Sequence, residues 1–402
     1  MPQRRLVSQL VDSMPASGIR EFFDIVASRD DVISLGVGEP DFPTPWKICD
    51  AVVGGLRQGR TSYTSNCGLL ELREAIAEDI SARYGVDYDP GSQILITSGV
   101  SEAMDLVMRA ILSPGEQVVV PEPCYVSYKP CVILAGGEPV TVVTRAEDQF
   151  KLQPASVREA VTDRTTALLI SYPNNPTGAV MSREELAQIA AVAAEADLLV
   201  ISDEIYGHLT YDGVHTCFAS LPGMEERTVV LSGFSKAYAM TGWRVGYACG
   251  PPEIIEAMTR IHSYTALCAS TVAQIGALAA LRNCEAEMKQ MIAQYDQRRR
   301  LFVAGLNKIG LPCGEPKGAF YTFPSIRHTG LTSEQFARAL LFEQAVAAVP
   351  GSAFGESGEG YLRCTYATGL AQLKEALARI ECFLQKLARG EVVPPPASVA
   401  HC

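Results

Sequence analysis

The sequence predicts an α/β chain: a large unit built on a mostly parallel seven-stranded sheet between helices, joined to a smaller α+β unit. Three observations carry this prediction. Short β-rich runs alternate with amphipathic stretches from about residue 94 to 290. Those runs are almost continuously apolar, as strands covered on both faces are. After about residue 290 the pattern changes to a long charged helix, then short strands and further helices.

Taken in order, residues 1–45 are too short for a domain and are assigned to an N-terminal arm and part of the smaller unit. Residues 46–290 form the large unit, with strand candidates "QILIT", "EQVVVP", "EPVTVV", "TALLIS", "DLLVIS", "RTVVLS" and "RVGYAC". Helical patterns such as "SREELAQIAAVAAEA" lie between several of them. The stretch "YTALCASTVAQIGALAAL" is uncharged, but its Thr, Ser, Gln and Gly mark a buried helix rather than a membrane span. Residues 291–390 form the smaller unit, led in by "MKQMIAQYDQRRRLFVAGLNKIG". The end, 391–402, is proline-rich and reads as a disordered tail. There is no internal repeat.

A chain of 402 residues with 48% hydrophobic content has ample material for a large core. The net charge of −11 argues against nucleic acid as a partner, because no basic field tracks phosphates. No apolar run follows the early "RR", so no signal peptide is expected. The twelve cysteines include no C-x-x-C and sit in apolar segments, which predicts reduced thiols in a cytoplasmic protein. His208 and His215 match no zinc spacing, so no metal is expected.

Open α/β sheets bind ligands at the carboxyl ends of their strands. "SGVSEA" follows the first run and places Gly99, Val100 and Ser101 at a helix N-terminus. Free N–H groups and the helix dipole suit a phosphate there, although Ser101 as a plain N-cap explains the same residues. "YPNNPTG" is a stiff loop that holds Asn175, or simply a turn. Asp203 ends an apolar strand, where a buried carboxylate needs a partner, or caps a following helix. Tyr206 lies one turn further if that segment is helical, and a core tyrosine is its ordinary role. Arg244 adds fixed positive charge, or makes a surface ion pair.

Lys236, in "TVVLSGFSK", is the sharpest signal. A lysine desolvated at the end of a core strand has a lowered pKa and becomes a nucleophile toward carbonyls. An aldehyde for Lys236, a phosphate for Arg244 and the "SGVS" turn, and a protonated pyridine nitrogen for Asp203 together describe pyridoxal 5′-phosphate.

The motifs in order are "SLGVGEPDFPTP", "YTSNCGLLELREAI", "ITSGVSEA", "YPNNPTGAV", "SDEIY", "GFSKAYAMTGWRVGY", "KGAFYTFP" and "AVPGSAFG…GEGYLRCTYA". This series resembles the class I/II aminotransferases of the aspartate aminotransferase superfamily, fold type I, over roughly residues 17 to 385. It is most similar to the prokaryotic aromatic and broad-specificity branch. The resemblance implies transfer of an amino group from an L-amino acid, aromatic or large and apolar, to a 2-oxo acid such as 2-oxoglutarate, in ping-pong order. It implies that Lys236 attaches the cofactor and shuttles a proton, and that Asp203 keeps the pyridine nitrogen protonated. Tyr206 and Asn175 would bond the phenolic oxygen, and Tyr125 would stack on the ring. Gly99, Val100, Ser101 and Arg244, with Ser232 or Ser235, would hold the phosphate. Arg363 would clamp the α-carboxylate, which Gly38 would let approach the backbone. Tyr63 would reach the neighbouring subunit's phosphate, making a homodimer with shared sites.

Two departures from the family pattern bear on substrate. Gly233 stands where aspartate aminotransferases carry a phosphate-binding hydroxyl. "RIHSYTALCAS" lacks the arginine that the partner subunit supplies for a side-chain carboxylate. Arg20 is the other candidate for that contact, against a reading as surface charge. The competing activities are aspartate transamination, a C–S β-lyase of the same fold, and a non-enzymatic cofactor sensor. The sensor is disfavoured because no DNA-binding segment is appended.

Overall fold

The computed structural model describes residues 6–12, 14, 29 and 31–393. Arg20 and residues 394–402 of the expected tail lie outside them, as do residues 1–5, 13, 15–28 and 30 of the N-terminal arm. The large sheet contains β2 (Ile94–Thr97), β3 (Gln117–Glu122), β4 (Glu138–Val143), β5 (Thr165–Ile170), β6 (Leu199–Asp203), β7 (Thr228–Gly233) and β8 (Gly246–Cys249). Their order is β2-β8-β7-β6-β5-β3-β4. Strands β3 to β7 pair in parallel, whereas β8 runs antiparallel to both its neighbours. Each strand coincides with one of the apolar runs. Strands β2, β3 and β8 are buried along their whole length and β5, β6 and β7 over most of it, which is why they lack alternation.

Helices cover both faces of the sheet. On one face Val100–Ile111 and Pro252–Thr265 bury Leu106, Val107, Ile255 and Met258 against Leu95, Val120, Ile201 and Leu231. On the other, Arg183–Glu195 buries Leu186, Ile189 and Val192 against Val119, Leu168 and Val200. Ser182 and Glu185 close the start of that helix with a reciprocal capping box.

The uncharged stretch 264–281 is not one helix. Pro252–Thr265 ends there, Leu267 takes φ +68°, and the Ser270 hydroxyl caps a new helix, Thr271–Asn283. Hydropathy concealed the break because both flanks are apolar.

Beyond the sheet, the helix Glu285–Lys308 leads to β9 (Tyr321–Thr322), β11 (Val349–Pro350) and β12 (Leu362–Thr365), a sheet in the order β11-β12-β9. The short β1 (Ile33–Ser34) pairs in parallel with β10 (Val346–Ala347), so the early chain is hydrogen-bonded to residues far along the sequence.

Candidate active site

A cavity of about 570 Å³ lies where β2, β3, β5, β6 and β7 end. It is lined by Gly38, Val100, Ser101, Tyr125, Asn175, Asp203, Tyr206, Ser235, Lys236, Arg244 and Arg363. Eleven predicted site residues thus converge from across the chain. Gly99 stands just behind the wall, where a Cβ would sit 2.7 Å from an Arg244 guanidinium nitrogen. Ser232 does not line the cavity. It lies within β7, and its hydroxyl donates to the Glu204 carbonyl at 3.3 Å. Of the two serines, only Ser235, beyond the strand end, faces the cavity. Tyr63 does not line this cavity and is 81% exposed on its own chain.

Lys236 is partly buried, and its Nζ donates to the Gly38 carbonyl at 2.7 Å. Burial pushes its pKa down to about 8. Glu39 and Asp203 oppose that shift, and the charges of Arg363 and Arg244 add to it. About a tenth of the amine is therefore unprotonated and nucleophilic at pH 7, far more than for an ordinary lysine. Gly38 has no substitute, because a Cβ there would meet the Tyr321 hydroxyl at 2.3 Å.

Burial raises the Asp203 carboxyl to about 6. The Tyr128 hydroxyl, donating to Oδ2 at 2.7 Å, and the Ile205 N–H, donating to Oδ1 at 3.1 Å, pull it back toward the ionised form. No helix follows; residues 205–208 form turns, so Asp203 is not a helix cap. The Tyr206 and Tyr321 hydroxyls lie 2.8 Å apart. Arg363 is 3% exposed and has no carboxylate partner among the described residues. Its Nη1 donates to Asn175 Oδ1 at 3.1 Å and its Nη2 to the Gly36 carbonyl, while Nε has no partner. The guanidinium carbon lies 4.6 Å from the Tyr321 ring centroid.

The start of the helix Val100–Ile111 is uncapped by any side chain. Its N-cap is Gly99, with φ +83°, rather than Ser101. Gly246 crosses immediately behind, where a Cβ would lie 2.8 Å from Gly99 C and Val100 N. Arg244, itself at φ +51°, makes no ion pair among the described residues and donates only to the Thr241 and Ser98 carbonyls. A guanidinium and a helix N-terminus therefore face each other across glycine backbone, an arrangement suited to an anion.

Four residues escaped the sequence reading: Tyr128, Tyr321, Thr241 and Glu39. The Thr241 hydroxyl donates to Glu39 beside the cavity. Tyr128 follows Tyr125 in "EPCYVSY" and Tyr321 lies in "KGAFYTFP", yet nothing local pairs them with Asp203 or Tyr206. The close packing at Gly233 accounts for the missing hydroxyl, since a Cβ there would meet the Gly246 Cα at 2.9 Å.

The family profile "Aminotransferase class I and II" matches residues 30–380. A putative aminotransferase of Bacillus subtilis is 52% identical over 380 residues, covering 94% of this chain and 98% of the relative. This chain belongs to the class I and II aminotransferases. An aspartate aminotransferase of Pyrococcus abyssi is 47% identical, with 94% and 98% covered. The solved aromatic aminotransferase of Pyrococcus horikoshii OT3 is 48% identical with a TM-score of 0.87, covering 91% of this chain and 99% of that one.

Aminotransferases of this class are transferases that use pyridoxal 5′-phosphate. The donor set here fits that group: a partly buried amine with a lowered pKa, a buried carboxylate, and an anion cradle of glycine backbone and arginine. Among the described residues no helix is long and apolar enough to cross a membrane.

Proposed function

We propose that this aminotransferase takes its amino group from an aromatic or large apolar L-amino acid and passes it to a 2-oxo acid such as 2-oxoglutarate. The observation that carries the reading is Arg363. Among the described cavity-lining residues it is the one buried guanidinium, and it lacks an anionic partner. One planar fork answers one carboxylate, the α-carboxylate every amino acid has. Arg244 stands at the helix N-terminus and belongs to the phosphate. Around the rest of the wall, Met104, Val126, Ile205 and Tyr125 suit an apolar side chain.

Bound here, pyridoxal phosphate supplies an aldehyde for the amino group and a ring that accepts the electron pair released at the α-carbon. Lys236 would attach the cofactor through Nζ, and its amine would be the base for the proton on the substrate α-carbon. Asp203 would keep a proton on the ring nitrogen. Tyr206 and Asn175 would bond the phenolic oxygen, and Tyr125 would stack on the ring. Gly99, Val100, Ser101, Ser235 and Arg244 would hold the phosphate, joined by the partner subunit's Tyr63. We place the enzyme in the cytoplasm as a homodimer. All eleven cysteines among the described residues are free thiols, as a reducing compartment keeps them.

The two named relatives point to different donors, aspartate and aromatic amino acids. Comparing kcat/KM for phenylalanine, tyrosine, leucine and aspartate decides between them. We expect the aromatic donors to lead; a strong preference for aspartate defeats the proposal. Rapid pyruvate and ammonia release from cystathionine marks a β-lyase instead. Arg363→Lys should lower kcat/KM for all donors alike, by roughly a hundredfold, because a point charge replaces a bidentate fork.

A further inference from the structure

Glu204 lies between Asp203 and Tyr206 in the chain but does not line the cavity. It is 4% exposed, and its carboxylate collects three donors: Ser202 Oγ at 2.9 Å, the Phe218 N–H at 2.9 Å and His215 Nε2 at 2.7 Å. Its main chain is tied as firmly. The Glu204 N–H donates to the Leu231 carbonyl, and the Glu204 carbonyl accepts from Ser232 Oγ and the Gly207 N–H. One residue thus joins β6, β7 and the far end of the loop 205–217.

His215 completes the clasp from the other side. It is 7% exposed, and its ring is packed so close to the turn after Tyr206 that a Cβ on Gly207 would lie 2.9 Å from its Cδ2. Tyr84 closes on the ring edge-to-face at 5.6 Å, and the Cys217 thiol and His208 lie nearby. Burial alone would raise the Glu204 carboxyl; the charge and hydrogen bond of His215, with the Phe218 and Ser202 bonds, more than offset it. The carboxylate therefore stays ionised and keeps accepting from all three donors.

We infer that the Glu204–His215 pair is a positioning element that fixes Asp203 and Tyr206 relative to each other. The inference rests on the reading of those two residues as contacts to the cofactor's ring nitrogen and phenolic oxygen. Neither Glu204 nor His215 lines the cavity. They act by holding the turn that carries both contacts.

The test separates charge, geometry and stability. In Glu204→Gln the amide oxygen accepts from Ser202 and Phe218, and the amide NH2 donates to the other tautomer of His215, so the geometry survives. The double variant Glu204→Leu/His215→Phe removes the pair and also leaves the Ser202 hydroxyl and the Phe218 N–H without that acceptor, so part of any loss is stability and Tm is measured alongside. Cofactor-stripped protein is titrated with pyridoxal phosphate by fluorescence quenching, and the pH midpoint of the bound cofactor's absorbance is recorded. Assayed well below its Tm, the double variant should bind roughly tenfold or more weakly and shift the midpoint by about one unit, while Glu204→Gln stays close to wild type. Unchanged cofactor affinity and midpoint in the double variant overturn the inference, as does a loss that tracks Tm alone. Asp203→Asn is the control. If that variant too binds normally with an unshifted midpoint, the reading of Asp203 fails and not merely the clasp.

Discussion

Lys236 is a cation held where cations are costly, and the cost has a sign that can be measured. Its folded pKa of about 8 lies below the unfolded value of 10.5. Between those values the unfolded chain binds more protons, so cofactor-free protein gains stability as pH rises through that window. Below pH 8 the full penalty is present, about 3 kcal/mol at most. Cofactor-free Lys236→Met should therefore resist denaturant better than cofactor-free wild type at pH 7. The gap should close as pH approaches 10.5, and a gap independent of pH defeats the account. Asp203 works the other way. Its folded pKa of about 6 lies above 3.8, so its stabilising contribution is complete below 3.8 and lost as pH rises through 6. The lysine was legible in the sequence because a lone charge among small and apolar residues is a local signal. Tyr128 as the partner of Asp203 was not, because 75 residues separate them and only the fold brings them to 2.7 Å.

Among the elements, the crossing of β8 behind the helix start sets the phosphate cradle. Gly246→Ala would place a methyl 2.8 Å from main-chain atoms of Gly99 and Val100, which cannot swing aside as a side chain can. We expect a loss of about 2 kcal/mol or more in stability. Pyridoxal phosphate should also bind more weakly, measurable by dialysis and absorbance; wild-type stability with full retention shows the backbone has room to move. Gly54→Ala, at a helical position with nothing within 4 Å, is the matched control and should be near neutral or stabilising. The seven strands were visible as apolar runs because burial on both faces writes itself into composition. The direction of β8 was not, since hydropathy is the same read either way. The serines show the same limit: Ser232 and Ser235 are equivalent as letters, and only the end of β7 at Gly233 separates a hydroxyl bonded to a neighbouring carbonyl from one facing the cavity.

For the whole molecule, the test is complementation between chains. Tyr63, Trp46 and Tyr264 are 81%, 74% and 88% exposed on the single chain, more aromatic surface than an isolated enzyme usually leaves in water. Lys236→Ala disables the site on its own chain, and Tyr63→Ala should weaken the neighbour's. After subunit exchange, a heterodimer of the two variants holds one doubly damaged site and one intact site. Activity should rise above both parents with no wild-type chain present. If mass spectrometry shows heterodimers and activity stays parental, Tyr63 serves its own chain. One feature of the sheet reaches further. Because β8 returns antiparallel to β7, the segment from Phe234 to Val245 leaves and re-enters the sheet at the same end of the strands. It carries Lys236 and Arg244 and is pinned at both ends by the facing pair Gly233 and Gly246. The segment is a ruler. Its length sets the separation of the two cations, and no other part of the chain can correct an error in it. A single inserted residue there would alter the molecule the site can measure, whereas one in the loop at Gly213, whose position has open space around it, would leave the measure untouched.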